Sequence, residues 1–560
     1  MTNNTPDQVA YAPAPATPIE ADDVATPRQR SPRLRLGVAL FAVCGAVCLG
    51  IGAYFVTTAA SQHHAAKSVI TNLQQAPAIR VQLTSFRSSI QINGHMTTTM
   101  YLVSRTDATT KDLTFDAIVS QPGPDATHTY VLVNDRAYYS YTSADGAQID
   151  AGCVDPAQVP PMPQIQASLE SSRSISSVKF EDGRVPFNCA AIGGYQVALS
   201  FSGEAYIGCI NANNQLVHAE GADIAVDLEY LVDTSSVPEI VAPEVAHSCL
   251  PVSLARPAVA QPRQLRAAVD DDGIATIRSS SCDCKGPRKP CLFVHGVGHK
   301  SSEPMTDSFA STWGSIQDHA PCCTSTKFAH IETTVRAWDD ASVQQEFCNL
   351  ALSVASQNNG KEIGDLILTT FSMGNLIASG ALATGQCKMS DRVTWVSLAG
   401  PLQGSKSSNL LQEKCAGGGW GGSFLQVILD IVGQCPAQRA YIHMTHQSTV
   451  DSTMQAKYIA AQKARAGRVS RLLCANDPSG LLSIYTSLQA VSEMSKHDSE
   501  NDGVVDWNSC TAGASTNGFG NTYWSYNYKP AINHMDASFR NNDGWFGDAR
   551  KPVKWFECAL

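Results

Sequence analysis

The stretch Asp365–Gly380, DLILTTFSMGNLIASG, decides the fold. Leu366 to Thr370 is a short apolar run closed by threonine, the composition of a strand buried on both faces. Asn375 to Ala383 sets Leu376, Ile377 and Leu382 among small residues and reads as a helix. Between them lie Phe371, Ser372, Met373 and Gly374. A strand that turns sharply into a helix around a serine strains the serine backbone and lifts its Oγ clear of the sheet, the pattern written G-x-S-x-G. Gly374 supplies the second glycine. Thr370 stands where the first is expected, a departure that bears on close packing at the turn and not on the hydroxyl.

With 560 residues the chain has room for two or three domains. Hydrophobic residues make up 43% and charged residues 16%, which is ordinary for a globular protein. A net charge of -10 with no basic stripe argues against a nucleic-acid partner. Eighteen cysteines are many. Cys282 and Cys284, and the adjacent Cys322 and Cys323, lack the paired C-x-x-C spacing of a zinc site. Disulfides formed in an oxidising compartment are the better reading. The pairing stays open, save that Cys415 and Cys435 suit a local bridge.

Residues 1–35, rich in Pro, Ala, Thr and Asp, read as a disordered cytoplasmic tail. The tail ends in Arg28, Arg30, Arg33 and Arg35. Residues 36–60 carry no charge, and at ~1.5 Å per residue they reach across a ~30 Å hydrocarbon core as a transmembrane helix. The arginines before this run against the single Lys67 after it place the N-terminus inside. The expectation is a type II single-pass, membrane-anchored protein whose catalytic body is lumenal or extracellular. Residues 68–235 read as a β-rich ectodomain: VQLTSF, TTTMYLVSR, DLTFDAIVS, THTYVLVND, RAYYSYT, YQVALSF, EAYIGCI and QLVHAEG alternate or carry β-branched and aromatic residues. Val133-Asn134-Asp135-Arg136 makes a hairpin, and a helix over roughly 65–75 precedes the strands. One antiparallel sheet curved around that helix, an element order that resembles the periplasmic lipoprotein carriers, stands against a β-sandwich spacer. Residues 236–288, with recurrent proline and the acids Asp270–Asp272, read as a linker.

From Pro290 strands and helices alternate, the mark of a mostly parallel sheet. CLFVH (291–295), ETTVRAW (332–338), VTWVSLA (393–399) and RVSRLLCA (468–475) join LILTT as expected strands, with a helix over 342–356. The first strand runs into His295-Gly296-Val297-Gly298, a turn suited to donate one backbone N–H to an oxyanion, the second coming from the residue after the serine. Those donors are Val297 and Met373. A serine hydroxyl needs a base, and the base an orienting acid. Downstream lie Asn501-Asp502-Gly503-Val504-Val505 and Asn533-His534-Met535-Asp536. With these motifs, residues 289–560 resemble the α/β-hydrolase lipases, above all the bacterial triacylglycerol lipases, whose acid sits in N-D-G-[LV]-V and whose base sits in N-H-[LM]-D. Ala399-Gly400-Pro401-Leu402-Gln403-Gly404-Ser405 is similar to their T-P-H-x-G-S turn, with Leu402 in place of histidine.

By this resemblance Ser372 is the nucleophile, His534 the base and Asp502 the acid. The implied fold is an α/β-hydrolase doubly wound sheet, preceded by a smaller mostly antiparallel β domain and the single transmembrane helix. The implied activity is a serine carboxylic-ester hydrolase, a lipase or esterase acting on lipid or other ester substrates without a cofactor. The family's calcium site is not recoverable, so no metal is assigned. Acyl transfer on the same machinery, and a non-catalytic lipid-binding or adhesion ectodomain, are the rivals. Residues 405–467 lie where such enzymes carry a lid, with glycines at 417–419, 421 and 422 before an apolar segment over 423–433. Oligomeric state is not legible.

Overall fold

The computed structural model describes residues 66–91, 94–106, 113–123, 126–160, 162, 164–245, 248–252, 269–270, 272–278, 281–416 and 435–560. The expected membrane span at 36–60 and the glycine-rich segment and apolar helix of the expected lid lie outside them. Among the described residues no helix is long and apolar enough to cross a membrane. All of them belong to one compact unit, Gln62–Leu560, which holds two large sheets.

The first sheet has eleven strands, antiparallel throughout, running from Gln148–Cys153 at one edge to Arg173–Ser174 at the other. Its first strand, Ala78–Ser85, is central and pairs with Thr97–Thr106 and Ile224–Leu231. It is one sheet gathered on a helix over 66–75, rather than two packed sheets. Val69, Ile70 and Leu73 of the helix share a core with Val81, Leu102, Tyr139 and Leu199 of the strands. The hairpin at Asn134 and Asp135 forms as read: both have positive φ, 52° and 61°, and Val133 pairs with Arg136. A two-residue turn of that hand matches the twist of the strands it joins.

The second sheet has eight strands. In chain order they are β1 (Lys289–Val294), β2 (Glu303–Thr306), β3 (Cys323–His330), β4 (Leu366–Phe371), β5 (Val393–Leu398), β6 (Val469–Leu473), β7 (Phe519–Gly520) and β8 (Asn527–Tyr528). They lie side by side as β2-β3-β1-β4-β5-β6-β8-β7. All pair in parallel except the edge strand β2. The central strands are buried on both faces, which is why they read as unbroken apolar runs. Leu292, Leu368 and Trp395 enter one core with the helices α1 (Ala341–Val354) and α2 (Met373–Ala383). Phe293, Ile367 and Leu398 enter the opposite core with Trp555 and Phe556 of the helix α3 (Pro552–Ala559).

The strand expected over 332–338 is a loop, and β3 precedes it. The Glu332 carboxylate accepts the backbone N–H groups of Thr334, Val335 and Arg336 at 2.7–3.0 Å. Those donors are thereby taken from any sheet ladder, and the chain turns. Within the expected linker, Ile274–Ile277 forms a strand in parallel with Ser177–Phe180.

Buried ions and aromatic rings join the two sheets. Trp545 and Phe546 pack on the core of the first sheet. Asp223 accepts from Lys551 and Lys554 at 2.8 and 2.7 Å, and Arg87 pairs with Glu557 at 2.7 Å. Burial opposes the Asp223 charge, yet Lys551 and Lys554 beside it hold its carboxyl well below the usual range.

All sixteen cysteines beyond residue 60 are paired: 153–249, 189–209, 282–558, 284–322, 291–323, 348–387, 415–435 and 474–510. Eight bridges mark an oxidising, lumenal or extracellular setting. Native protein should therefore take up almost no iodoacetamide at these positions, and reduction should lower its melting temperature. Alkylation of most of them without denaturant would contradict the pairing.

Candidate active site

The order of the second sheet reverses between β1 and β4, and in open α/β sheets ligands bind beyond the carboxyl ends of strands at such a point. His295-Gly296-Val297 leaves β1 there, and Ser372 leaves β4. Ser372 has φ 51° and ψ -127°, a conformation costly for a residue with a Cβ and held only by its surroundings. It joins β4 to α2. Gly374 is required: a Cβ there would lie 2.7 Å from the carbonyl oxygens of Val294 and His295.

Thr370, in the place of the first glycine, is accommodated by polar packing. Its hydroxyl donates to Asn375 Oδ1 at 2.5 Å and accepts from Trp395 Nε1 at 2.8 Å. The Asn375 amide donates to the carbonyls of Thr370, Ser372 and Leu398 at 3.0–3.2 Å. Ser397 donates to Asn375 Oδ1 at 2.6 Å and accepts from the fully buried Arg465 at 2.7 Å. Every polar group that the threonine brings inside is satisfied, so the close approach survives without the glycine.

Ser372 Oγ lies 2.9 Å from His534 Nε2, and His534 Nδ1 lies 2.8 Å from Asp502 Oδ2. Ser372, His534 and Asp502 are 5%, 4% and 1% exposed, so this chain of hydrogen bonds is shielded from bulk water and strengthened by it. The second carboxylate oxygen of Asp502 accepts Val504 N–H at 3.0 Å and Val505 N–H at 2.7 Å. The His534 N–H donates to the Asp502 carbonyl at 2.8 Å. Gly503 has φ 95°, and a Cβ there would press on Leu488 at 2.8 Å. The turn through 399–405 braces this loop, with Ser405 donating to the Val504 carbonyl at 2.5 Å.

The loop bearing His534 has its own clamp. Asp536 accepts Leu481 N–H at 2.7 Å, Asn533 N–H at 3.0 Å and the Asn541 amide at 2.6 Å. Burial pushes its carboxyl up to about 6, against those donors. Nothing in the motif Asn533-His534-Met535-Asp536 marks Asp536 for this part.

Two further carboxylates of this region, Asp477 and Asp506, are committed to other partners. Asp477 accepts Ser479 N–H at 3.1 Å, a local turn. Asp506 is buried: it accepts from His497 Nδ1 at 2.9 Å and from Asp498 N–H at 2.9 Å. The chain over 497–506 folds back on itself, and a polar sequence around Asp506 gave no sign of that closure.

Gly296 abuts Ser372, since a Cβ on it would meet Ser372 Cβ at 2.7 Å. Val297 follows directly and is half-buried. Met373 opens α2, so its N–H has no acceptor within the helix. The helix dipole adds partial positive charge at the same place. Both ring nitrogens of His295 are committed to backbone groups. Ile331 N–H donates to its Nε2 at 3.1 Å, so Nδ1 carries the proton and donates to the Gly296 carbonyl at 2.8 Å. Burial drives its pKa down to about 3, and the neutral ring ties the turn to the residue after β3.

A cavity of about 1010 Å³ lies between the first sheet and the loops over 481–485 and 540–550, lined by Met100, Ala117, Tyr130, Leu481, Tyr485 and Phe546 among others. Ser372, His534 and Asp502 do not line it. It borders the loop bearing His534 instead, because the Asn533 amide donates to the Tyr485 carbonyl at 3.1 Å.

No protein-family model and no curated protein matches the chain. Among solved structures it is similar to phospholipase PlaB from Legionella pneumophila in complex with thio-NAD, at 14% identity and a TM-score of 0.25 over 40% of this chain. The match spans 44% of the length of that phospholipase. It is also similar to LprF from Mycobacterium bovis, at 10% identity and a TM-score of 0.21, over 32% of this chain and 98% of that one. Likenesses this distant fix neither activity nor substrate.

Proposed function

We propose that the chain is a serine hydrolase of carboxylic esters, with lipid esters as the substrate class. The observation that carries this reading is the buried chain from Ser372 Oγ through His534 to Asp502, at 2.9 and 2.8 Å. Ser372 Oγ attacks the ester carbonyl while His534 Nε2 takes its proton. Asp502 holds the imidazole in the tautomer this requires and offsets the imidazolium charge. The oxyanion accepts the N–H groups of Val297 and Met373, preorganised donors worth roughly 3 kcal/mol each. Collapse expels the alcohol, which leaves with the proton from His534. Water then repeats the sequence on the acyl-enzyme and releases the acid.

The apolar cavity beside the base loop supports a lipid over a short ester, and the disulfides support a lumenal or extracellular body. The uncharged run at 36–60 is the proposed anchor. The test is a chain-length series of p-nitrophenyl esters, run on the wild type and on Ala117→Phe, which projects a ring into the cavity. Ala117→Phe is expected to lower kcat/KM for long-chain esters and to leave short ones within about twofold, a fraction of RT-scale binding energy. Equal losses at every length would remove the cavity from the reading. No ester cleaved at any length would remove the hydrolase.

A further inference from the structure

The loop that follows Val297 meets the edge of the second sheet at three side chains the proposed reaction does not use. His299 lies in the loop, Glu303 opens β2, and His330 closes β3. One ligand atom from each lies within 4.8 Å of the other two. Glu303 and His330 are direct partners across the antiparallel pair, so they are held as neighbours by the sheet.

The hydrogen bonds around this group leave two imidazole nitrogens without partners. His330 is 6% exposed, and its Nδ1 has none; nor has the buried Nε2 of His299. A buried nitrogen without a partner is costly in a folded protein. The protonation of His330 follows from its neighbour. Thr306 Oγ1 donates its one proton to the Ser308 carbonyl at 2.6 Å. It lies 2.9 Å from His330 Nε2 and can only accept there, so Nε2 carries the ring proton. Nδ1 is then a bare lone pair, as a metal ligand must be. Glu303 Oε1 accepts from Ser301 at 2.7 Å, which leaves the other carboxylate oxygen for a ligand. No cation among the described residues pairs with Glu303.

We propose that His299 Nε2, His330 Nδ1 and the Glu303 carboxylate bind a divalent cation, with zinc preferred. Two imidazoles and one carboxylate are the donor set of a borderline metal and do not suit calcium or magnesium. Three protein ligands leave a fourth, tetrahedral position for water. The ion holds the loop after Gly298 against the sheet edge. That loop is already stitched there by Thr333 N–H to the His299 carbonyl at 2.8 Å and by Gly298 N–H to the Thr333 carbonyl at 3.1 Å. The metal therefore sets the rigidity of the turn that bears Val297.

The sequence reading assigned no metal. His299 and Glu303 are close in sequence, but His330 joins them only through the pairing of β2 with β3, which the sequence did not foretell.

The test uses untagged full-length protein, stripped with EDTA and titrated with zinc chloride by calorimetry, with melting temperature read in parallel. One zinc per chain and a rise in melting temperature are expected. His299→Ala and Glu303→Gln should each abolish that step, while their metal-free melting temperatures stay near the wild type. Thr306→Val keeps the shape but removes the acceptor that fixes the His330 tautomer, and should weaken binding ~10–100-fold. Calcium should give no heat. Ser372→Ala should bind zinc as the wild type does, so the outcome stands apart from that of the hydrolase reading. Absence of a one-to-one step would overturn the proposal. So would a step that survives both His299→Ala and Glu303→Gln, or calcium binding of equal strength.

Discussion

Ser372→Ala is expected to lose 10⁴–10⁶ in kcat for ester hydrolysis, on the order seen when a triad nucleophile is removed. The Oγ that would form the acyl bond is gone, and nothing nearby replaces it: Thr370 and Ser397 have their hydroxyls committed inside the Asn375 network. The fold should persist, because the substitution removes one oxygen and leaves the backbone. Ser372 already sits at φ 51°, and alanine meets the same backbone strain there as serine. Circular dichroism and melting temperature should match the wild type. A fluorophosphonate probe should label the wild type at Ser372 and leave the variant unlabelled. A variant with a tenth of wild-type activity, or one that still takes the probe, would end the assignment.

The parts of the fold that the sequence disclosed are those whose signals are local. Buried parallel strands are continuous apolar runs, and β1, β4, β5 and β6 were legible for that reason. The serine turn was legible because its backbone demands a small residue at Gly374. The stretch 332–338 suggests a strand because threonine, valine and tryptophan are strand-forming residues, while the competing event, a single glutamate collecting three N–H groups, leaves no periodic trace. Thr370 raised a question of packing that only the surrounding layer answers, through Asn375, Trp395 and Ser397. These residues come from one helix and one strand, and no spacing rule links them to Thr370. The joint between the sheets was also silent. Asp223 and Glu204 meet Lys551 after more than three hundred residues, and in a sequence such charges look like any solvated face.

The candidate triad was legible from three motifs in order, whereas their distances were not. What the structure adds is the reason each loop stays still. The acid loop is tied by two N–H groups to the carboxylate and by Ser405 from the neighbouring turn. The base loop is tied by Asp536 to three donors. A carboxylate buried with a pKa of about 6 costs stability when ionised. In the window from its usual value near 4 up to about 6 the folded state holds the proton more tightly than the unfolded chain. The contribution of Asp536 to stability therefore falls as pH rises through that window. The clamp carries that cost at the loop where the proposed reaction needs His534 held still.

The choice of acid is where variants should separate most sharply. Asp502→Asn is expected to lose ~10⁴ in kcat with little change in KM, because an amide in that position presents the wrong partner to His534 Nδ1 and favours the wrong tautomer. Its folding should suffer less, since the amide oxygen can still accept Val504 and Val505 N–H. Asp506→Asn is expected to behave in the opposite way. Burial opposes the Asp506 charge, but the His497 hydrogen bond holds its carboxyl below the usual range, so the loss falls on stability. Its melting temperature should drop while kcat of the folded fraction stays within about tenfold, an indirect effect on a loop that Asp506 only braces. Asp477→Asn should keep kcat within about tenfold, because asparagine supports the same side-chain turn, and should lower the melting temperature, because Arg550 pairs with that carboxylate at 3.7 Å. Steady-state kinetics and thermal melts on the three variants, beside His534→Ala, decide the matter. If Asp477→Asn or Asp506→Asn is the inactive one while Asp502→Asn retains activity, the hydrogen bond from His534 to Asp502 does not orient the base, and the catalytic chain must be drawn through a different carboxylate.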